Sequence, residues 1–435
     1  MKTVSLLLAV AMPPAVAAGG RVTIYVDAAA GRDVAAADGT DLGGGWAGWD
    51  PRRPLRTLRA AQRAARVALG NGARGVTVRA AAGRYAPLSL GAHDSGGDGA
   101  EVRYEGASGA VISAGATLPA SGFHPAPPTD PISGRLPAGA QATTRRFDLG
   151  AMGISASELS SGDPTGVVLT CDGATVSLAS WPSNGSWAHT GAPVGASGFV
   201  YPADAPIPAA ADGLWLAGYF VYDWADSRIP VERVVASNRT LFATTQRYVK
   251  STGHFIPDAR FRFLNLPELL GAGQFWLSNN TGHLYVRTQQ PQPQPSCTLA
   301  VGRTALQVAN TSHISISGFT LESAQSDVAT ISDSHFIRVR NCTVRDGGVS
   351  GIAVSGGSHV EISDVEVSAI GGTGISVIGG DRPTLTRGNH SVSNCTVHDF
   401  AKVLWCYHPG IEMEGVGHVA SGNEIFNAPH QGIRT

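Results

Sequence analysis

The residues best suited to chemistry lie close together near the end of the chain, in "YHPGIEMEGVG". Ile411 and Met413 alternate there with Glu412 and Glu414. In a strand, alternate side chains leave opposite faces, so both carboxylates point outward if the apolar pair points inward. Aligning Gly410 with Gly432 sets His408 over His430 and Glu412 over Arg434. Tyr407 adjoins the group, and Asp381 with Arg382 precedes it on an earlier turn of chain. Two carboxyl groups about 5–10 Å apart, one of them protonated, are the requirement for acid/base cleavage of a glycoside. The expected catalytic pair is Glu412 and Asp381, with Arg382, Tyr407, His408, His430 and Glu414 binding substrate. Blander roles compete. Glu412 can pair with Arg434 as a coil-to-coil ion pair, Glu414 can be solvated, and Asp381 can cap a loop.

These residues must be held by whatever repeats around them. Five segments align from about residue 310: "SHISISGFTL", "SHFIRVRNCTV", "SHVEISDVEV", "NHSVSNCTV" and "GHVASGNEI". Each carries two short alternating stretches around a corner residue, Gly318, Asn341, Asp364, Asn394 or Gly422. Short β-branched runs with Gly, Asn and Asp corners are strands and tight turns. A repeat of this size holding three strands is one coil of a parallel β-helix. Phe319, Cys342, Val365 and Cys395 then form an inward column, with Cys342 and Cys395 too far apart for a disulfide. His313, His335, His359, His390 and His418 are expected to stack at one turn.

The N-terminal part fits the same plan. The stripe Leu55, Leu58, Ala61, Ala65 and Leu69 in residues 54–69 predicts a helix capping the apolar end of the stack. Residues 21–118 then hold this cap and the first coils, and residues 297–435 hold the later ones. Between them, residues 119–296 lose the repeat and read as an inserted β-rich domain. This region carries Trp181, Trp187, Trp215, Trp224 and Trp276, which suit either its core or sugar stacking. The predicted fold class is all-β: a right-handed, pectin-lyase-like parallel β-helix with an N-terminal capping helix and an inserted β-rich domain.

Composition narrows the partners. The 435 residues include 32 Lys plus Arg and 33 Asp plus Glu, so no basic face argues for nucleic acid. Residues 1–18 read as a signal peptide, with Lys2 ahead of a short apolar run and Ala15-Val16-Ala17 at the cleavage site. The apolar run is too short to span a bilayer, so a secreted, soluble product is expected. The five cysteines (171, 297, 342, 395 and 406) do not make a disulfide scaffold, and the odd count leaves at least one thiol free. No zinc-ligand spacing occurs, so neither metal nor cofactor is expected.

"GGDRPTL", "YHPGIEMEGVG" and "NEIFNAPHQGI" resemble the β-helix of glycoside hydrolase family 141-like proteins. "CDGATVSLASWPSNGSW", "GYFVYDWAD" and "LNLPELLGAGQFWLSNNTGHLYV" resemble that family's insertion. The resemblance covers most of residues 21–435. It implies a secreted enzyme that hydrolyses fucosylated or xylan-type glycans without a cofactor. Such proteins continue past "PHQGI" into further coils, which implies that this chain stops short of part of the site, with a partner covering its open end. Gln274 and Ser278 stand where the family would have acids. The alternatives are a non-catalytic glycan-binding or matrix protein, and a polysaccharide lyase on the same fold.

Overall fold

The computed structural model describes residues 20–33, 52–160, 163–183, 185–207, 213–244, 253–289 and 295–435. The expected signal peptide lies outside these residues. Three parallel sheets wind into a right-handed β-helix. The first runs from Val22–Val26 through Val76–Ala80, Val102–Gly106, Ser312–Ser317, His335–Arg340, Ser358–Ser363 and Ser391–Ser393 to Val419–Ser421. The second runs from Gly83–Tyr85 to Glu424–Phe426, and the third from Leu88–Leu90 to Ile433–Arg434. From Val76–Ala80 onward, each coil contributes one strand to each sheet. Their inward residues merge into one core that includes Ile314, Ile337, Val360 and Val392.

The corners explain the sequence pattern. Gly318, Asn341, Asp364, Asn394 and Gly422 all have positive φ. Glycine adopts that conformation without strain, and Asn and Asp tolerate it better than other side chains. Phe319, Cys342, Val365 and Cys395 follow them and are buried. Cys342 and Cys395 are free thiols.

The histidine stack differs from expectation. Ser312 pairs with His335 and His335 with Ser358, a step of 23 residues. The 22-residue spacing from His313 to His335 therefore misses the register by one. Phe336 takes the position instead, stacked 4.8 Å from both His313 and His359. His390 and His418 form a separate stack at 4.9 Å.

A helix at Leu58–Gly70 covers one end of the stack. The Thr57 hydroxyl accepts the Ala60 N–H at 3.1 Å and caps its first turn. Leu58, Ala61, Ala65 and Ala68 join the β-helix core. Arg66 and Gln62 anchor it laterally to the buried Asp94.

The inserted β structure leaves the coils without breaking them. Val102–Gly106 pairs in parallel with Ser312–Ser317, and Leu88–Leu90 with Leu306–Ala309, across more than two hundred residues of chain. The insertion forms two largely antiparallel sheets with their own cores, one around Phe199, Phe261 and Phe263 and one around Phe123, Phe147 and Phe275. Its last strand, Cys297–Ala300, pairs antiparallel with Leu169–Cys171. A disulfide joins Cys171 to Cys297, a pairing the cysteine count alone did not reveal.

Candidate functional site

Strand Ile411–Gly415 buries Ile411 and Met413 in the β-helix core and turns Glu412 and Glu414 outward. Close stacking fixes its position. A Cβ on Gly374 would lie 2.5 Å from the Gly410 carbonyl oxygen on the next coil, so this corner admits only glycine. Ser376, Glu412 and Arg434 then occupy one cross-coil row. The Ser376 hydroxyl donates to Glu412 at 3.1 Å. Arg434 Nη2 donates to Glu412 and, at 3.4 Å, to Glu414. One nitrogen within hydrogen-bond reach of both carboxylates holds the bound oxygens within about 7 Å of each other. The Glu412 side chain is 14% exposed and that of Glu414 is 47% exposed.

The segment leading into this strand is held from the insertion. The Asp226 carboxylate accepts the backbone N–H of Trp405 at 3.1 Å and of Cys406 at 3.0 Å. Arg228 Nη1 donates to the Val403 carbonyl at 3.0 Å. Trp405 stacks on Tyr219 and meets Trp187 edge-on. Beyond them, Tyr222 and Trp224 stack at 4.8 Å while remaining 36% and 46% exposed. Trp224 meets Tyr407 edge-on at 6.3 Å, and Tyr407 meets His430 at 5.4 Å. The Tyr407 N–H donates to His430 Nδ1 at 3.1 Å, and Arg434 Nη1 donates to the Tyr407 carbonyl at 3.3 Å. An aromatic ledge therefore runs from the insertion to the glutamate row.

His408 sits between the two parts, with Nδ1 3.2 Å from the Thr373 hydroxyl. Burial lowers its pKa, and the charges of Asp226 and Glu412 oppose that shift.

Five of the seven expected site residues are thus brought together: Glu412, Glu414, Tyr407, His408 and His430. Among the described residues, no hydrogen bond or ion pair joins Asp381 or Arg382 to this group. Asp381 accepts the Thr384 hydroxyl and, at 3.3 Å, the Thr384 N–H, closing an exposed turn. It lies five residues along the chain from Ser376, the partner of Glu412. The strand ends at Gly379, and Gly380, at positive φ, turns the chain between the two. Glu414 is the carboxylate that shares Arg434 with Glu412. Gln274 and Ser278 serve the insertion internally. Gln274 bridges Ser180 and Gly271, and Ser278 accepts the Thr281 N–H.

Trp224 is one of the five tryptophans that suit core or sugar stacking, while Tyr222 and Asp226 carry no such signal in the sequence. They lie in "GYFVYDWAD", but nothing in the local pattern says which coil that segment meets. Among the described residues, no group of three or more His, Cys, Asp or Glu is arranged to hold a metal ion. No helix among them is long and apolar enough to cross a membrane.

Residues 296–435 match the family model described as "Right handed beta helix region". A solved structure named "Glycoside hydrolase" is similar over 95% of this chain and 79% of its own, with a TM-score of 0.71 and 15% identity. A second, "The complex structure of XylC with xylose", aligns over 95% of this chain and 63% of its own, with a TM-score of 0.43 and 12% identity. No curated protein matches the chain. The first structural likeness, at that identity, establishes the shared fold.

Proposed function

We propose that the chain is a secreted, glycoside hydrolase family 141-like protein that cleaves fucosylated or xylan-type glycans, with Glu412 and Glu414 as its carboxyl pair. The observation carrying this reading is the outward Glu412–Glu414 pair, shared by one Arg434 nitrogen and continuous with the exposed Tyr222–Trp224–Tyr407 ledge. Aromatic faces offer a stacking surface to the apolar face of a sugar ring. Glycoside cleavage needs one carboxyl group to protonate the leaving oxygen. The other serves as a nucleophile or activates water. Glu412, held by Ser376 and Arg434, is oriented for the ionised role. Glu414, half exposed beside it, supplies the second carboxyl group. The resemblance of the site motifs and the glycoside hydrolase fold likeness support the reaction class. The Cys171–Cys297 disulfide supports export, since disulfides persist in oxidising compartments.

A second reading, glycan binding without turnover, draws on the same Arg434, which occupies both carboxylates. Reducing-sugar release from fucosylated glycans and from xylan separates the two. Under the hydrolase reading, Glu412→Gln and Glu414→Gln each lower release by about 10²–10⁴-fold. Release that neither substitution changes would remove these carboxylates from the reaction. Saturable glycan binding with no release supports the second reading. Product carrying a new ultraviolet-absorbing double bond would instead mark a lyase.

A further inference from the structure

A cavity of about 370 Å³ lies between the insertion and the β-helix, away from the Glu412 row. Sugar-sized ligands occupy pockets of this order. Its wall carries three cationic side chains, Arg228, Arg262 and Lys402, together with hydroxyls that include Thr175 and Ser177. No carboxylate lines it.

Two of the cations are already paired, Arg228 with Asp163 and Lys402 with Asp399. Arg262 differs. Its Nε and Nη2 donate to the neutral carbonyls of Ser186 and Gly185 at 3.1 and 2.7 Å, and its guanidinium lies 4.5 Å from the Trp187 ring centre. Among the described residues, none of the ion pairs includes Arg262. Burial without a compensating anion lowers its pKa. Alternation along Arg260–Leu264 explains the placement. Phe261 and Phe263 enter the insertion core, leaving Arg262 on the opposite face, toward the cavity.

We propose that this cavity binds the carboxylate of a sugar acid, with Arg262 as the principal anion contact, the hydroxyl-bearing wall hydrogen-bonding the ring, and Lys402 at the rim. With Nε and one Nη2 hydrogen held by the Ser186 and Gly185 carbonyls, Nη1 and the second Nη2 hydrogen remain as paired donors for a carboxylate, and the small polar side chains suit the remaining hydroxyls. The anion would supply the partner that Arg262 lacks. The site does not depend on the Glu412 reading, because it uses none of those residues.

Titration calorimetry on the intact chain tests it, using glucuronate, glucose, sulfate and an oligosaccharide ending in a uronic acid. The expected result is saturable binding of glucuronate and none of glucose or sulfate. Arg262→Gln should weaken glucuronate binding by at least about tenfold, and Arg262→Lys, which loses the fork but keeps the charge, by less. Lys402→Gln, at an exposed rim position, gives a smaller loss and covers the case in which Arg262→Gln does not fold. Tighter binding of the oligosaccharide marks a glycan chain as the source; binding of the free acid alone marks a free sugar acid. Equal binding of glucose or sulfate, or of glucuronate by wild type and Arg262→Gln, overturns the proposal, as does absence of saturable glucuronate binding. Unchanged glucuronate binding by Glu412→Gln keeps this outcome separate from that of the hydrolysis assay.

Discussion

The Asp226 carboxylate accepts the backbone N–H of Cys406 at 3.0 Å, tying the inserted domain to the segment that delivers Tyr407 and Glu412. The neighbouring Trp405 N–H reaches the same carboxylate at 3.1 Å. Two backbone donors of one β-helix loop thus depend on a single side chain some 180 residues earlier.

Asp226→Ala leaves both donors without this partner. Hydrogen bonds to a charged group contribute about 1.5–3 kcal/mol each, so a loss of about 3–6 kcal/mol is expected in urea unfolding. Asp226→Asn, which keeps one acceptor oxygen, should lose about half as much. Limited trypsin digestion should cut after Lys402 faster in the alanine variant. Equal stability and equal cleavage would show that the contact does not hold the loop.

Trp224 and Trp405 should respond in opposite ways. Trp224 is half exposed on the ledge, so Trp224→Ala should weaken glycan binding by about tenfold while shifting the melting temperature little. Trp405 packs between Tyr219 and Trp187, so Trp405→Ala should lower the melting temperature first. Glycan affinity unaffected by Trp224→Ala would move the binding surface elsewhere.

His390 makes the fold acid-sensitive. Its Nδ1 accepts the Val360 N–H at 3.1 Å, while burial and the nearby His418 push its pKa down to about 4 from 6.5. The unfolded chain therefore takes up a proton between pH 6.5 and about 4 that the folded chain refuses. Stability is fully present above this window and is lost as pH falls through it, by up to about 3 kcal/mol. His390→Asn should flatten that part of the stability-versus-pH curve. Denaturant midpoints at pH 7.5 and pH 4.5 measure the effect, and parallel curves for the two proteins would reject it.

The Cys171–Cys297 disulfide closes a sequence separation of 126 residues and ties the insertion's last strand to an earlier one. Replacing both cysteines with serine should cost about 2–5 kcal/mol. Reducing agent should lower the wild-type melting temperature and leave the double variant unchanged. The same shift in both would mean that the bridge contributes nothing.

Much of this protein was legible in one dimension because its structure is locally periodic. Alternation of Ile411, Glu412, Met413 and Glu414 determines which side chains face out, since a strand has a period of two. Coil stacking then sets Glu412 against Arg434, because neighbouring strands belong to neighbouring repeats. The positive-φ corners called for glycine, asparagine or aspartate and could be read directly. Even here a one-residue slip moved His335 out of its expected stack, since spacing between like residues is not hydrogen-bond register.

Contacts across the insertion were decided only by the tertiary structure. Nothing near Asp226 identifies Trp405 and Cys406 as its partners, and nothing near Cys171 identifies Cys297. The use of Asp381 to close its own turn through Thr384 was likewise hidden, because it depends on how the chain folds back after Gly380. Side-chain alternation and strand stacking are short-range and repeat along the chain. The docking of one folded domain against another depends on the complementarity of two completed surfaces, which no local pattern encodes.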